Sequence, residues 1–366
     1  MKKRLFCILL GVLLSLSLPL SVFAVDDTIG AEPMDEALSL DDMLQVTTSL
    51  SDAFAVGYNV VTETTTYYAL NTAALSSFTP EDFSLSSWFP EQAQQFNDNN
   101  NNSGRVIVGE DEDDDSRDRV HNTDEFPYSA IAYMEMEYAN GKTAKATAFM
   151  ISKNVAMTAA HNLFEQNSPV QGAKWATTVE ICPGRNGYNI FSWAPFGHAE
   201  AIEVVVSKQF YTESKIAYTD DGVTKYRTTE LSDYYDWGFI RLNDDIGEEC
   251  GYFGFEFGTS VGSHIHVSGY PDEKNKQQWM ESGYILDYSD FGFDSTYVMH
   301  YDVDTTYGQS GGPVYRETSA GEFLVIAVHN VQYALSDDGM YGEVNQGSRI
   351  TNQLYAFILS YTAMWQ

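Results

Sequence analysis

Phe323-Leu324-Val325-Ile326-Ala327-Val328 is a short apolar run with Gly321 before it and Asn330 after it. A run of this length, closed by turn-forming residues, reads as a buried strand. Ala201-Ile202-Glu203-Val204-Val205-Val206 and Ala130-Ile131-Ala132-Tyr133-Met134 read the same way. From Val106 onward the chain keeps this texture, with short β-rich runs separated by Gly, Asn and Asp. That pattern predicts an all-β body, a sandwich or a pair of barrels. Its end differs. Ile350, Leu354, Phe357, Ile358, Tyr361 and Trp365 recur at helical spacing and predict a terminal helix packed on the body.

Upstream of Val106 the composition changes twice. Lys2, Lys3 and Arg4 precede an apolar run that ends in Val22-Phe23-Ala24, the pattern of a signal peptide cut after Ala24. Residues 25–105 then carry 13 acids and one base and end in the Asn-rich run Asn97-Asp98-Asn99-Asn100-Asn101-Asn102, which reads as an exposed linker. The whole chain has 366 residues and a net charge of −32, from 20 basic and 52 acidic side chains. Nucleic-acid binding and electrostatic membrane attachment both need clustered Lys and Arg, so neither partner is expected. A released, monomeric bacterial export product is. Once Cys7 leaves with the signal, Cys182 and Cys250 remain as candidates for one disulfide, whose loop would contribute roughly 4 kcal/mol.

Three segments supply parts for acyl transfer. Val155-Ala156-Met157-Thr158-Ala159-Ala160-His161 ends a strand-like run on an imidazole. Tyr235-Asp236-Trp237-Gly238-Phe239-Ile240-Arg241-Leu242 sets an acid at the head of an apolar strand, with Asp233, Asp244 and Asp245 nearby as rivals. Gly308-Gln309-Ser310-Gly311-Gly312-Pro313 places a hydroxyl in a Gly-rich turn. A serine becomes a nucleophile when an imidazole takes its proton, and a buried carboxylate must fix that imidazole. The glycines let the loop aim amides at a developing oxyanion, with the Gly308 and Ser310 N–H groups as the natural pair.

Together these blocks resemble the three catalytic segments of chymotrypsin-fold serine proteases, and more narrowly the bacterial glutamyl endopeptidase (V8-like) branch. Arg119-Val120, Phe126-Pro127-Tyr128-Ser129-Ala130-Ile131, Pro183-Gly184-Arg185-Asn186-Gly187 and Ser268-Gly269-Tyr270-Pro271 extend the likeness over residues 106–366. The resemblance implies two six-stranded antiparallel β-barrels, residues 106–245 and 246–366, with the cleft between them. It assigns catalysis to His161, Asp236 and Ser310 and implies that protein or peptide substrates are cut. Within that branch an acidic P1 side chain is met by residues matching His329 and Thr305 and by the mature α-amino group, here that of Val106. The body carries 39 acids against 16 bases, so a local donor and cation must override its field.

One departure opens an alternative. Asp304 lies six residues before Ser310, where trypsin-like relatives place the acid that reads Lys or Arg, so basic or broad specificity is the rival expectation. A silent binding homologue is a second rival, although binding alone would not need the full triad. The Arg105–Val106 bond, just past the linker, is the expected activation cut, made by another protease, with residues 25–105 as the propeptide. Gln309 precedes Ser310, so an amine-to-acid ion pair like that of trypsin zymogens cannot form there. No cofactor or metal is expected: the acid run 110–115 lacks the spacing of a calcium loop, and no His-Glu-x-x-His motif occurs.

Overall fold

The computed structural model describes residues 40–76, 86–90, 115–167, 172–188, 193–220, 222–286, 296–333 and 344–365. The signal segment, the Asn-rich run, Arg105, Val106 and residues 110–114 of the acid run lie outside them. Before the linker come strands β1 (Leu44–Thr47), β2 (Ala55–Asn59) and β3 (Thr64–Leu70). After it, β4 (Asp118–Arg119) leads into β5 (Ile131–Tyr138), β6 (Thr143–Met150), β7 (Val155–Thr158), β8 (Phe164–Glu165), β9 (Lys174–Pro183), β10 (Ala199–Ser207), β11 (Ile216–Asp220), β12 (Val223–Arg227) and β13 (Gly238–Leu242). The remaining strands are β14 (Gly254–Phe255), β15 (His264–Gly269), β16 (Trp279–Leu286), β17 (Val298–Tyr301), β18 (Pro313–Glu317), β19 (Phe323–Tyr333) and β20 (Val344–Arg349).

Two closed antiparallel six-stranded barrels result, as the resemblance implies. The first runs β5-β6-β7-β13-β10-β9 and closes where β9 meets both β5 and β10. The second runs β15-β16-β17-β20-β19-β18 and closes through the β15–β18 and β19–β20 pairs. Closure removes free sheet edges, with one exception in the first barrel. There β9 stays beside β10 only at Ala199 and Glu200, and the edge beyond is taken by β2, which pairs Ala55–Asn59 with Ser207–Glu203. β3 and β1 continue the sheet outward.

The terminal helix, Asn352–Ala363, forms where the periodicity places it. Thr351 caps it by accepting the Leu354 amide hydrogen on its side chain. Leu354, Phe357, Ile358 and Tyr361 are buried, and they join the core of the first barrel rather than the second. Phe357 lies against Trp237 and Phe239, and the Arg241 guanidinium covers the Trp365 ring at 3.9 Å.

The candidate disulfide is not formed. Cys182 sits on β9 opposite Tyr133, Cys250 ends a short helix next to Gly251, and both thiols are buried and free. Burial pushes the Cys182 thiol up to about 11, and Cys250 upward as well, so both remain protonated and unreactive. The spacing of two cysteines along the chain carries no information on which faces they occupy, so the sequence left the pairing open.

Candidate active site

β7 and β13 are neighbours in register, with Thr158 opposite Gly238. The residues just past one strand and just before the other therefore meet. His161 enters a one-turn helix after β7, and Asp236 lies two residues before β13. The buried Asp236 carboxylate accepts the His161 amide hydrogen at 2.8 Å through Oδ1 and contacts the ring Nδ1 at 2.6 Å through Oδ2. That leaves the hydrogen on Nδ1 and the lone pair on Nε2, the tautomer a general base needs. Burial pulls the imidazole pKa down, but the Asp236 charge and hydrogen bond, aided by Asp233, outweigh it and the net shift is upward. Of the rival acids, Asp233 is held elsewhere: it accepts from Thr228 Oγ1 at 2.6 Å, and burial raises its pKa to about 7.

Ser310 lies in the turn that leads into β18, and that turn is tied to the other barrel at several atoms. Thr147 of β6 donates its amide hydrogen to the Ser310 carbonyl at 3.1 Å and its hydroxyl to the Gly308 carbonyl at 2.9 Å. Asn162, the neighbour of His161, donates to the same Ser310 carbonyl at 3.1 Å. With these carbonyls fixed, the Gly308 and Ser310 amides donate no hydrogen bond among the described residues. They remain the oxyanion donors the motif calls for. Gly308 has φ +96° and Gly311 φ +87°, a region open to glycine but strained for other residues. Ser310 Oγ donates to the Asn330 carbonyl at 3.4 Å, a long contact of the kind that gives way when a catalytic hydrogen bond tightens on substrate binding.

His161, Asp236 and Ser310 line one cavity of about 650 Å³ together with Gly308, Thr305 and His329. Pairing of Pro313 with Val328 brings the end of the Ser310 turn beside His329. His329 is buried, and burial pushes its imidazole down to about 3, so it is neutral before substrate arrives. Tyr301 Oη donates to the Gln346 carbonyl at 2.9 Å and meets His329 Nδ1 at 2.7 Å. With the tyrosine proton committed, Nδ1–H donates to Tyr301 Oη and Nε2 is the ring nitrogen left for a ligand. Thr305 differs from the expectation: its hydroxyl already donates to Asn345 Oδ1 at 2.7 Å. Asp304 does not line the cavity. It is buried and turned toward Ser116, accepting that residue's amide and hydroxyl hydrogens at 3.3 and 3.0 Å.

Two features escaped the sequence reading. Lys142, Lys145 and Lys215 also line the cavity, beside the acids Glu165 and Asp272, with Lys142 paired to Glu165 at 3.4 Å. The second is Arg117, buried at the start of the body. Its Nη1 donates to Gln309 Oε1 and Thr306 Oγ1, both at 2.6 Å, while Nε and Nη2 reach Asp115 and Glu273 at 2.8 and 2.9 Å. Gln309 precedes the nucleophile, so this guanidinium holds the loop where trypsin zymogens place a freed amine. Asp115, the described end of the acid run, is neutralised by Arg117 and Lys274.

A hydroxyl in a glycine turn, a carboxylate-oriented imidazole and two free amides between two barrels define the chymotrypsin class of serine peptidases. Comparison with known proteins agrees. The trypsin-like peptidase domain family matches residues 146–327, a span holding all three triad members. The glutamyl endopeptidase of Bacillus licheniformis is 31% identical over 250 residues, covering 66% of this chain and 65% of that protein. A Bacillus subtilis protein named extracellular metalloprotease is 30% identical over 246 residues, 66% of each chain. The chain thus spans about two thirds of the length of these relatives. Among the described residues no three His, Cys, Asp or Glu side chains group as a metal site. A solved Glu endopeptidase in complex with MPD shares the fold, with a TM-score of 0.51 and 24% identity over 71% of this chain and 100% of that one. The chain belongs to the chymotrypsin-fold serine proteases, in their V8-like branch.

Proposed function

We propose that this chain is a secreted bacterial serine endopeptidase that cleaves after Glu, and less readily after Asp, and is made as a zymogen opened at Arg105–Val106. The observation that carries the specificity is His329, buried beside Ser310 with its Nδ1 committed to Tyr301. In the apo tautomer Nε2 is a lone pair, which a carboxylate repels. Binding a Glu side chain therefore takes up a proton at Nε2, and the imidazolium so formed meets the carboxylate. The name of the Bacillus licheniformis relative supports this reading, and Asp304, facing Ser116, gives a basic P1 side chain no partner.

The reaction follows from the geometry. Ser310 Oγ attacks the scissile carbonyl while His161 Nε2 takes its proton, and Asp236 stabilises the imidazolium. The oxyanion is received by the Gly308 and Ser310 amides. His161 returns the proton to the leaving amine, and water then repeats the sequence on the acyl-enzyme.

A time course on a mixed peptide library tests the proposal, using the exported chain cut at Arg105 beside Ser310→Ala and His329→Ala variants. Cuts after Glu that vanish in the first variant are expected. In the second, kcat/KM for Glu peptides should fall about 100-fold or more, the loss typical of an unpaired charge in a built polar site. Cleavage after Lys or Arg by the parent protein would overturn the specificity. An Arg105→Gln precursor with full activity would overturn the zymogen reading alone.

A further inference from the structure

A propeptide is ordinarily pictured as a detachable cover, yet residues 40–76 of this chain are built onto the first barrel. β2 supplies the hydrogen-bonding partner for β10 from Glu203 to Ser207, where β9 has parted from it. The contact continues at both ends: Val60 N–H donates to the Ile202 carbonyl at 3.0 Å, and Lys208 N–H to that of Phe54 at 3.0 Å. Met43, Ala55 and Val56 are fully buried, and Tyr68 nearly so. Phe54 lies 5.4 Å from both Trp237 and Phe357, joining the leader to β13 and the terminal helix.

One buried charge ties the segment further. Glu203 accepts Tyr68 Oη on Oε1 and Tyr361 Oη on Oε2, both at 2.9 Å, with Arg241 at 3.5 Å. Loss of the leader would strip this carboxylate of one donor inside an apolar core, and a charge left short of donors there is costly. A second anchor lies nearer the linker. Trp88 and Tyr252 exchange backbone hydrogen bonds at 2.9 and 2.8 Å, and Phe89 stacks on Phe126 at 4.9 Å. The active-site cavity, by contrast, receives no lining residue from the described part of 40–90.

We infer that residues 40–90 are a permanent strand-donating part of the peptidase, and that a cut in 91–114 leaves them bound as a non-covalent fragment beside an open cleft. This rests on the peptidase reading only for the position of the natural cut. Attachment acts against charge, because the leader and the body are both strongly acidic. It therefore depends on burial and hydrogen bonds, and added salt should strengthen it.

The test uses the full exported chain with Ser310→Ala to prevent self-digestion, nicked by brief trypsin treatment. Arg105 is the only basic residue in 91–114, and mass measurement identifies the nick there. Both fragments should elute from a sizing column in one peak at the mass of the uncut chain and separate only in denaturant. Tyr68→Phe, which removes the donor to Glu203, should release the fragment at lower urea. Separate elution in native buffer would overturn the inference, whether the remainder stays soluble or aggregates. Because trypsin makes the nick, this outcome is independent of whether Arg105 is the physiological site, which the Arg105→Gln precursor addresses.

Discussion

Arg117 holds the nucleophile loop by a different device from a freed amine. A planar guanidinium reaching Gln309, Thr306, Asp115 and Glu273 at once fixes the backbone that carries Ser310. Arg117→Ala removes charge-assisted bonds worth about 1.5–3 kcal/mol each where both ends are buried. Asp115, Glu273 and Thr306 are exposed or partly exposed and regain water, so the stability loss should come mainly from the bond to the buried Gln309. The expected result is a folded protein whose rate of acylation by a small serine-directed reagent falls at least about tenfold, the cost of a misplaced reacting group. Arg117→Lys should not restore it, since an ammonium cannot reproduce the fork. Unchanged acylation in a folded Arg117→Ala variant would show the contact to be structural only. The sequence reading passed over this residue while quoting Arg119-Val120, because nothing local marks an arginine three of whose four partners lie more than 150 residues away.

At the scale of elements, the parts of the site that were legible are those each strand carries at its own end. His161 after β7, Asp236 before β13 and Ser310 before β18 are local motifs, and closed barrels with β7 beside β13 bring them together. What was not legible depends on pairing across long separations. Nothing in Ala55–Asn59 announces that it will extend the edge of β10, and nothing in Thr305 shows that Asn345 will claim its hydroxyl. The nucleophile turn gives a sharp prediction at this scale. A Cβ on Gly311 would lie 2.0 Å from Thr158 Oγ1 and 2.3 Å from the Thr147 carbonyl, at φ +87°. Gly311→Ala should therefore open the β6–turn contact as well as strain the backbone by about 1–2 kcal/mol. A thermal midpoint several degrees lower, with activity lost, is expected; a variant with parental midpoint and turnover would mean that the loop is not held as described.

Across the whole molecule, several buried acids pull stability in one direction with pH. Burial raises Glu281 to about 7 and Asp233 to about 7, and raises Asp304 as well. Glu281 and Asp304 both contact the Ser116 hydroxyl, which has one proton to give, so a neutral Glu281 completes the bridge. A carboxyl whose folded pKa lies above its unfolded value favours the folded state fully below the unfolded value, and that contribution is lost as pH rises through the folded one. For Glu281 and Asp233 the decline thus spans their ordinary range, near 4, to about 7. His161, also shifted upward, adds a loss of the same sign as pH rises past its ordinary 6.5. Asp115, held well below the usual carboxylate range chiefly by its Arg117 bond, acts oppositely and loses its contribution only in acid. Stability should therefore be greatest near pH 4 and fall between about pH 4 and 7, with His161 extending the fall above 6.5. Catalysis asks for the reverse, since His161 must be neutral to accept a proton, so kcat/KM should climb on a limb centred above pH 6.5. Thermal scans of the Ser310→Ala chain from about pH 4 to 9 check the first half, beside a Glu281→Gln partner whose neutral amide should flatten the fall between about pH 4 and 7. A midpoint that rises between about pH 4 and 7, or a Glu281→Gln variant with the parental slope there, would show that these carboxyls are not held protonated by the fold.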